Sequence, residues 1–244
     1  MVYFIGAGPG DPKLVTVKAK EVLEEADVVL YTGSLVPKEV IAWAKRASVV
    51  KSSQDMKYGE IFEFFLKYRD KKIARVHTGD PSLYSTIAKQ IEFLRANDIS
   101  FEVIPGVTAA FGGAASLGIE WTIPGVSQTL ILSRVEGRTP QPESLENILR
   151  CKNSSLVFYL SITLLKKLKQ KALEMGYSKN TPCWVIEKAT WSDEKSYKGT
   201  LQDIEEKVSH IKGVALIMMG EFLHQKEKEE SHLYGKKDSN NNDK

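Results

Sequence analysis

Residues 75–84 read Arg75-Val76-His77-Thr78-Gly79-Asp80-Pro81-Ser82-Leu83-Tyr84 and begin in an apolar run, residues 72–76, that is typical of a buried strand. We expect a turn at Gly79 and Asp80 and then a helix that begins near Ser82, because proline suits the first turn of a helix. In open α/β sheets, ligands bind outside the carboxyl ends of the strands. This stretch is therefore a candidate binding site, although a structural turn with Asp and Pro as helix caps explains it equally well.

Short apolar strands alternate with amphipathic helices on both sides of this stretch. We expect strands near residues 2–5, 28–31, 48–50, 72–76 and 100–104, separated by helices near 14–26, 37–44, 58–68, 82–96 and from 109 onwards. A second series has strands near 129–132, 155–160, 183–186 and 214–218, with helices near 143–150, 164–175 and 201–210. Strands that alternate with helices of this length indicate βαβ units and a mainly parallel sheet.

The chain of 244 residues is long enough for two small domains. A linker-like stretch near residues 121–128 separates the two series, so we predict an α/β domain over residues 1–121 and another over 122–224. Residues 225–244 are charged and poor in apolar side chains, so we expect a disordered tail. A cleft between two domains is a favoured place for a small-molecule site.

Composition disfavours several classes of protein. The net charge is +3, from 34 basic and 31 acidic residues, which does not predict nucleic-acid binding. Cys151 and Cys183 stand far apart and the four histidines are scattered, so we expect no disulfide, no bound metal and a reducing, cytoplasmic environment. We also expect no membrane segment, because no run reaches the roughly 18 apolar residues that a spanning helix needs.

The turn after the first strand, Gly6-Ala7-Gly8-Pro9-Gly10, is only superficially like a dinucleotide-binding loop. Asp11 stands where GxGxxG has its last glycine, and Pro9 lacks the N–H that a phosphate cradle uses. The second strand ends at Thr32 rather than at the acidic residue that would bind a ribose. Motifs for a nucleophile, a metal or a P-loop lysine are also missing, so no catalytic residue is predicted.

Basic residues follow two of the predicted strands. Arg134 and Arg138 follow the first strand of the second series, while Arg75 and His77 lie at the end of a strand of the first. Arginines at strand ends suit the capture of an anionic ligand. Alternatively, Arg134 and Arg138 pair with nearby glutamates in an exposed loop.

Seven motifs, in order, resemble those of the tetrapyrrole methylases, the S-adenosylmethionine-dependent enzymes of the cobalamin and sirohaem pathways. They are Gly6 to Pro12, Tyr31 to Leu35, residues 75–84, Pro105 to Ala110, Ser127 to Thr129, Glu136 to Pro140 and Ala189 to Glu194. Within the family, this set is most similar to the members that methylate carbon 11 of precorrin-4 or cobalt-precorrin-4. The similarity covers about residues 1–222.

The resemblance implies a homodimer of two α/β domains, with a mainly parallel first sheet and a mixed second sheet. It implies S-adenosyl-L-methionine in the interdomain cleft, S-adenosyl-L-homocysteine as product, and a tetrapyrrole substrate. The cofactor contacts carried over by motif are Pro9, Thr78, Gly79, Asp80, Leu83, Thr108, Ala109, Leu160, Ala189 and Thr190. The chain departs from the family at Gly33, where uroporphyrinogen methylases have an acidic residue, and at Ser192, where the family has proline.

The expected mechanism is mainly alignment, because the sulfonium of the cofactor already carries a good leaving group. Cations must bind the acetate and propionate arms of the macrocycle, and we expect Arg75, His77, Arg134, Arg138 and Lys51 to do so. Asp80 is expected to bind the cofactor rather than to act as a base.

Other functions stay open at this point. A methylase of different regiospecificity, a ribosomal RNA methylase or a diphthine synthase would share the cofactor turns, as would a non-catalytic nucleotide-sensing module. An RNA substrate would call for a more basic surface than +3, and diphthine synthase leaves residues 136–140 unexplained. Whether the substrate carries cobalt is also open.

Overall fold

A computed structural model describes residues 1–137 and 139–226, and it divides into two compact units. The first unit comprises Met1–Leu117 together with Lys188–Lys195, and the second comprises Gly118–Glu187 and the described residues from Ser196 onwards. Each unit contains one five-stranded sheet with helices, so the predicted fold class is confirmed. Lys188–Lys195 returns to the first unit from within the range predicted for the second domain, and the predicted domain boundaries stay a prediction.

The sheet of the first unit is parallel throughout, as expected. Its strands are β1 (Val2–Gly6), β2 (Val28–Tyr31), β3 (Val49–Ser52), β4 (Ile73–His77) and β5 (Phe101–Ile104), in the order β3-β2-β4-β1-β5. The helices are α1 (Val17–Glu25), α2 (Lys38–Ile41), α3 (Tyr58–Lys67), α4 (Ile87–Ala96) and α5 (Ala109–Leu117), with a short 3-10 turn at Pro12–Leu14.

Both faces of this sheet are covered, which explains why its central strands read as continuous apolar runs. One face packs with α1 and α2 into a core that includes Ile5, Val29 and Val76. The other packs with α3 and α4 into a core that includes Phe4 and Leu30. Because successive side chains of a strand point to opposite faces, Arg75 and His77 of β4 both lie on the α3/α4 side.

The helix after β4 begins later than the sequence predicted. We expected it to begin near Ser82, but α4 begins at Ile87. The Asp80 carboxylate accepts the Ser82 backbone N–H at 2.8 Å, and Tyr84 and Thr86 both have φ of 54°, in the left-handed region. A side chain that bonds its own backbone competes with helix formation in this way.

Other helices are also shorter than predicted, and α2 covers only Lys38–Ile41 instead of residues 37–44. α1 begins at Val17 instead of residue 14, because the Thr16 hydroxyl caps it by accepting the Ala19 N–H at 3.2 Å. In the second unit, the helix expected over residues 201–210 is regular only from Ile204 to Lys207.

The second unit has a mixed sheet, which confirms the expectation. Its strands are β6 (Leu130–Arg134), β7 (Ser155–Tyr159), β8 (Pro182–Glu187), β9 (Lys195–Thr200) and β10 (Ala215–Met219), in the order β6-β7-β10-β8-β9. β6 and β7 are parallel, whereas β10 is antiparallel to β7 and β8. The helices are α6 (Leu145–Arg150), α7 (Leu165–Glu174) and α8 (Ile204–Lys207), with 3-10 turns at Ile162–Leu164 and Glu221–His224.

Cys151 is exposed and Cys183 is buried, and both are free thiols. In the described part of the chain, no three His, Cys, Asp or Glu side chains are grouped so that they could hold a metal ion. The helices of residues 1–137 and 139–226 are all too short or too polar to cross a membrane. Most of the predicted tail, from residue 227, lies outside the described residues.

Candidate functional site

Three glycine-bearing turns meet at the carboxyl edge of the first sheet, after β1, β4 and β5. The Gly8 N–H donates to the Gly79 carbonyl at 3.3 Å, and the Gly79 N–H donates to the Gly8 carbonyl at 2.8 Å. A Cβ on Gly6 would lie 2.6 Å from the Gly106 Cα, and a Cβ on Gly106 would collide with the Gly79 carbonyl oxygen. Only glycine permits this approach of three backbones.

Asp80 ties two of these turns together. Its Oδ2 accepts the Gly106 N–H at 2.9 Å, and its Oδ1 accepts both the backbone N–H and the hydroxyl of Ser82. Burial by itself raises the pKa of Asp80, but the bonds from the Ser82 hydroxyl, the Gly106 N–H and the Ser82 N–H outweigh burial and lower that pKa below its usual value. Asp80 is therefore an ionised carboxylate, and each of its oxygens already accepts at least one hydrogen bond.

The returning segment Lys188–Lys195 closes over the turn after β1. The Trp191 indole N–H donates to the Pro9 carbonyl at 2.8 Å, and the Asp11 backbone N–H donates to the Thr190 hydroxyl at 3.0 Å. A Cβ on Gly112 of α5 would lie 2.6 Å from Pro9 Cγ and 3.0 Å from Thr190 Cγ2. The small residues of α5 therefore allow the returning segment and the first turn to pack closely.

The structure brings most of the predicted cofactor residues together within the first unit. Gly79 lies beside Thr108, since a Cβ on Gly79 would be 3.8 Å from the Thr108 Cα, and it bonds the residue that precedes Pro9. Leu83 stays close to this turn because its N–H donates to the Asp80 carbonyl at 3.3 Å. The members of this group are Pro9, Thr78, Gly79, Asp80, Leu83, Thr108, Ala109, Ala189 and Thr190.

Arg75 is buried in the same unit, with only 3% of its surface exposed. Its Nε donates to Gln90 Oε1 at 3.1 Å, and its Nη1 donates to Ser53 Oγ at 2.8 Å and to the Leu30 carbonyl at 3.3 Å. All three acceptors are neutral. Burial lowers the pKa of Arg75 to about 10, so the guanidinium stays protonated at neutral pH.

His77 does not supply the positive charge that we expected of it. Its side chain is 1% exposed, and burial together with the nearby Arg75 charge lowers the pKa of His77 well below its usual value. The ring is therefore neutral at physiological pH. Its Nε2 has no hydrogen-bond partner among the described residues.

A family model described as Tetrapyrrole (Corrin/Porphyrin) Methylases matches residues 1–205. The chain belongs to this family. The resemblance inferred from the seven motifs is thus confirmed, and the match includes the whole first sheet and four of the five strands of the second sheet of this tetrapyrrole methylase.

Two relatives illustrate how close the similarity is. The cobalt-precorrin-4 C(11)-methyltransferase of Methanocaldococcus jannaschii is 43% identical over 241 residues, which cover 96% of this chain and 93% of that protein. The precorrin-4 C(11)-methyltransferase of Pseudomonas aeruginosa is 42% identical over 239 residues, which cover 96% of this chain and 94% of that protein.

Solved structures agree with this family assignment. The X-ray structure of a cobalt precorrin-4 methyltransferase of cobalamin biosynthesis superimposes with a TM-score of 0.87 at 41% identity, covering 91% of this chain and 95% of that one. The uroporphyrin-III C-methyltransferase of Thermus thermophilus complexed with S-adenosylhomocysteine has a TM-score of 0.78 at 28% identity. The match covers 92% of this chain and 99% of that one.

The remaining predicted site residues of this tetrapyrrole methylase are not part of the group at the edge of the first sheet. Leu160, in the second unit, follows β7 with φ of 52° and is 71% exposed. Arg134 donates from Nη2 to the carbonyls of Thr139 and Pro140 at 3.0 and 2.8 Å, so it holds its own loop rather than pairing with a glutamate. Lys51 is exposed on β3. Arg138 lies outside the described residues.

Sequence reasoning missed three residues that shape the site of this methylase. Trp191 was noted only as part of a motif, yet its indole bonds the turn after β1. Ser53 and Gln90 were not singled out at all, and they are the side chains that bond Arg75. No local pattern marks Ser53 or Gln90, because each becomes relevant only when its element packs beside β4.

Proposed function

We propose that this tetrapyrrole methylase transfers a methyl group from S-adenosyl-L-methionine to carbon 11 of precorrin-4 or cobalt-precorrin-4. The observation that carries the proposal is the 43% identity to a carbon-11 methyltransferase over 96% of the chain. The group of cofactor residues predicted by motif supports it, because the first unit brings nine of them to one edge of its sheet.

The cofactor would be held mainly by backbone groups of the turns after β1, β4 and β5. Gly79 has φ of 63° and open space around it, since a Cβ there would meet nothing closer than 3.8 Å. Such a turn lets a ligand approach the main chain. We propose Pro9, Thr78, Gly79, Leu83, Thr108, Ala109, Ala189 and Thr190 as contacts, and Leu160 stays a candidate on the strength of its motif alone. Asp80 stays a proposed contact as well, and it also fixes the turns because each of its oxygens accepts a hydrogen bond from them.

When bound, the cofactor supplies a methyl group on a sulfonium, which is already activated for transfer. The task of the chain is to hold the acceptor carbon in line with that methyl group, a form of catalysis worth about 7–11 kcal/mol in favourable cases. Asp80 is a poor candidate for a proton acceptor, because hydrogen bonds stabilise its ionised form. The arms of the substrate would bind cations, for which Arg75, Lys51, Arg134 and Arg138 stay our candidates.

A single-turnover assay with methyl-labelled S-adenosyl-L-methionine tests the function. We expect label to enter carbon 11 of precorrin-4, cobalt-precorrin-4 or both, and the ratio of the two rates identifies the natural substrate. Label at another ring carbon of a uroporphyrinogen or precorrin would indicate a different regiospecificity. An enzyme that binds the cofactor but methylates none of these compounds would overturn the proposal.

Trp191→Phe is expected to weaken cofactor binding moderately. The variant keeps an aromatic ring but loses the indole N–H that bonds the Pro9 carbonyl, a loss of about 0.5–1.5 kcal/mol. We expect the Kd for S-adenosyl-L-homocysteine, measured by isothermal titration calorimetry, to rise about 3- to 10-fold. Trp184→Phe, on β8 of the second unit, is the matched control and should leave this Kd unchanged. Equal Kd values for Trp191→Phe and wild type would show that cofactor binding does not depend on the hydrogen bond between Trp191 and the Pro9 carbonyl.

Two further expectations of the family resemblance belong with this proposal. We propose that the enzyme works as a homodimer in the cytoplasm and that it acts on a small molecule rather than on RNA. Size-exclusion chromatography with light scattering at assay concentration tests the dimer, for which a monomer mass with full activity is the contrary result.

A further inference from the structure

The first unit contains a pocket that the cofactor turns do not use. Its volume is about 320 Å³, which lies at the lower end of the range for ligand pockets, ~300–1,000 Å³. It opens where β2 and β3 end, between these strands and helices α3 and α4. The residues lining it are Thr32, Ser53, Gln54, Met56, Tyr58, Ile61, Arg75, Thr86 and Gln90.

The charge of this pocket is unbalanced. The described residues that line it include one cation, Arg75, and no carboxylate. Arg75 bonds only neutral acceptors, and it takes part in none of the ion pairs found among the described residues. Burying a charge is costly unless it is paired. A 3%-exposed guanidinium without a carboxylate is therefore expected to have an anionic partner that the chain itself does not supply.

The guanidinium keeps donors for such a partner. Its Nε and Nη1 make the bonds to Gln90, Ser53 and the Leu30 carbonyl, and those bonds fix the plane of the group. Its Nη2 donates no hydrogen bond to the residues that the structure describes. An arginine has five N–H donors in a rigid fork that matches the two oxygens of a carboxylate.

Other side chains of the pocket complement the two ends of a carboxylate arm. Thr32 Oγ1 is a buried hydroxyl oxygen without a hydrogen-bond partner in the described part of the chain, a condition that is uncommon in folded proteins and that a ligand oxygen would relieve. Met56 and Ile61 provide apolar surface for methylene groups. Lys89 Nζ lies 4.8 Å from the ring centroid of Tyr58, another lining residue, and adds positive charge beside the pocket.

We propose that this pocket binds one carboxylate arm of the tetrapyrrole substrate, with the Arg75 guanidinium as its cation. The inference rests on the proposed function, because precorrins carry acetate and propionate arms. The sequence predicts Arg75 as one of several cations for these arms, and the structure adds that its guanidinium is buried in a pocket of its own. A free small anion has the same chemistry, so the test separates the two sources.

The first test uses Thr32→Val, which keeps the shape of the side chain and removes the unpartnered hydroxyl. If the hydroxyl serves no ligand, its loss leaves activity unchanged. We expect instead that KM for the substrate form that wild type methylates rises about 3- to 10-fold, with kcat and the Kd for S-adenosyl-L-homocysteine unchanged within about 2-fold. The matched control is Tyr177→Phe, which removes a buried, unpartnered hydroxyl of the second unit and should leave KM unchanged.

The second test uses Arg75→Lys, which keeps the positive charge but replaces the planar guanidinium and its paired N–H donors with a single ammonium group. We expect KM to rise at least 10-fold, with circular dichroism verifying the fold. Should Arg75→Lys fail to fold, Thr32→Val alone decides the outcome. An active wild type with unchanged KM in Thr32→Val overturns the inference but leaves the proposed function intact.

Sodium propionate distinguishes the arm of the substrate from a free anion. At constant ionic strength with chloride as the control, propionate should raise the apparent KM of wild type without lowering kcat. Propionate that inhibits without competing with the substrate would indicate a separate anion site and would overturn the inference. A wild type that methylates no tetrapyrrole would instead refute the proposed function, and the claim of a substrate arm with it.

Discussion

Gly106→Ala is expected to abolish tight cofactor binding. The added Cβ would collide with the Gly79 carbonyl oxygen and lie 2.8 Å from the Gly6 Cα. Both are backbone atoms of the other two turns, so relief requires the turns to separate. Overpacking of this kind costs about 1–3 kcal/mol of stability, and a displacement of about 1 Å at a site costs about 100-fold in rate.

Calorimetric titration with S-adenosyl-L-homocysteine measures this effect, and thermal unfolding measures the accompanying loss of stability. If the upper end of that overpacking cost, about 3 kcal/mol, falls on the cofactor-bound state, the Kd rises about 100-fold. Gly213→Ala is the matched control, because a Cβ on Gly213 meets nothing within 4 Å. If Gly106→Ala bound the cofactor product as tightly as Gly213→Ala does, the three turns would not form the cofactor site.

Asp80→Asn is expected to have the second largest effect. The carboxylate accepts bonds from the Gly106 N–H and from Ser82 on different oxygens. An asparagine has only one oxygen, so its amide N–H₂ must face one of these donors. Hydrogen bonds to charged groups are worth about 1.5–3 kcal/mol, so we expect the Kd for S-adenosyl-L-homocysteine to rise roughly 10- to 100-fold.

The pH dependence of the same interaction gives a second measurement. The pKa of Asp80 in the folded protein is lower than its usual value. The contribution of Asp80 to folding stability is therefore complete above the unfolded pKa of about 4. It is lost as the pH falls through the lower, folded pKa. The free energy of unfolding of wild type should therefore keep the contribution of Asp80 from neutral pH to about pH 4 and lose it below that pH, whereas Asp80→Asn should lack the part of this acid transition that is due to Asp80.

Asp203→Asn is the matched control for Asp80→Asn. Asp203 in the second unit also accepts a backbone N–H and a hydroxyl, both from Thr200. Its bond with Lys207, followed by the Thr200 N–H, lowers the pKa of Asp203 to about 2. We expect Asp203→Asn to lower the melting temperature and to leave cofactor affinity unchanged. Equal losses of affinity in the two variants would mean that Asp80 acts only through general stability.

The strands were predictable because a local property decides them. A strand covered on both faces, such as β2 or β4, needs an uninterrupted apolar run, and turn residues mark where the run ends. The glycine-bearing turns after the strands were also predictable from the sequence, since close approach of backbones requires glycine. These two kinds of signal sufficed for the fold class and for the group of residues at the sheet edge.

The features that could not be predicted have two causes. Some depend on side-chain hydrogen bonds that compete with helix formation, and others depend on contacts between residues that are far apart in the sequence. The late start of α4 reflects a bond from Ser82 to the Asp80 side chain that competes with the helix. The burial of Arg75 follows from helices α3 and α4 covering its face of the sheet, and a charged residue in a strand gives no local sign of that. The bond of Trp191 to Pro9 joins residues 182 positions apart.

The discontinuity of the first unit has a consequence for how the protein is made. Lys188–Lys195 completes that unit, and its Thr190 and Trp191 satisfy the Asp11 N–H and the Pro9 carbonyl. On the ribosome, where domains generally fold in order of synthesis, Met1–Leu117 must therefore wait for more than half of the second unit before its first turn is closed. A fragment that ends at Leu117 would leave these two backbone groups without their partners, so the cofactor turns depend on a chain that extends at least to Trp191.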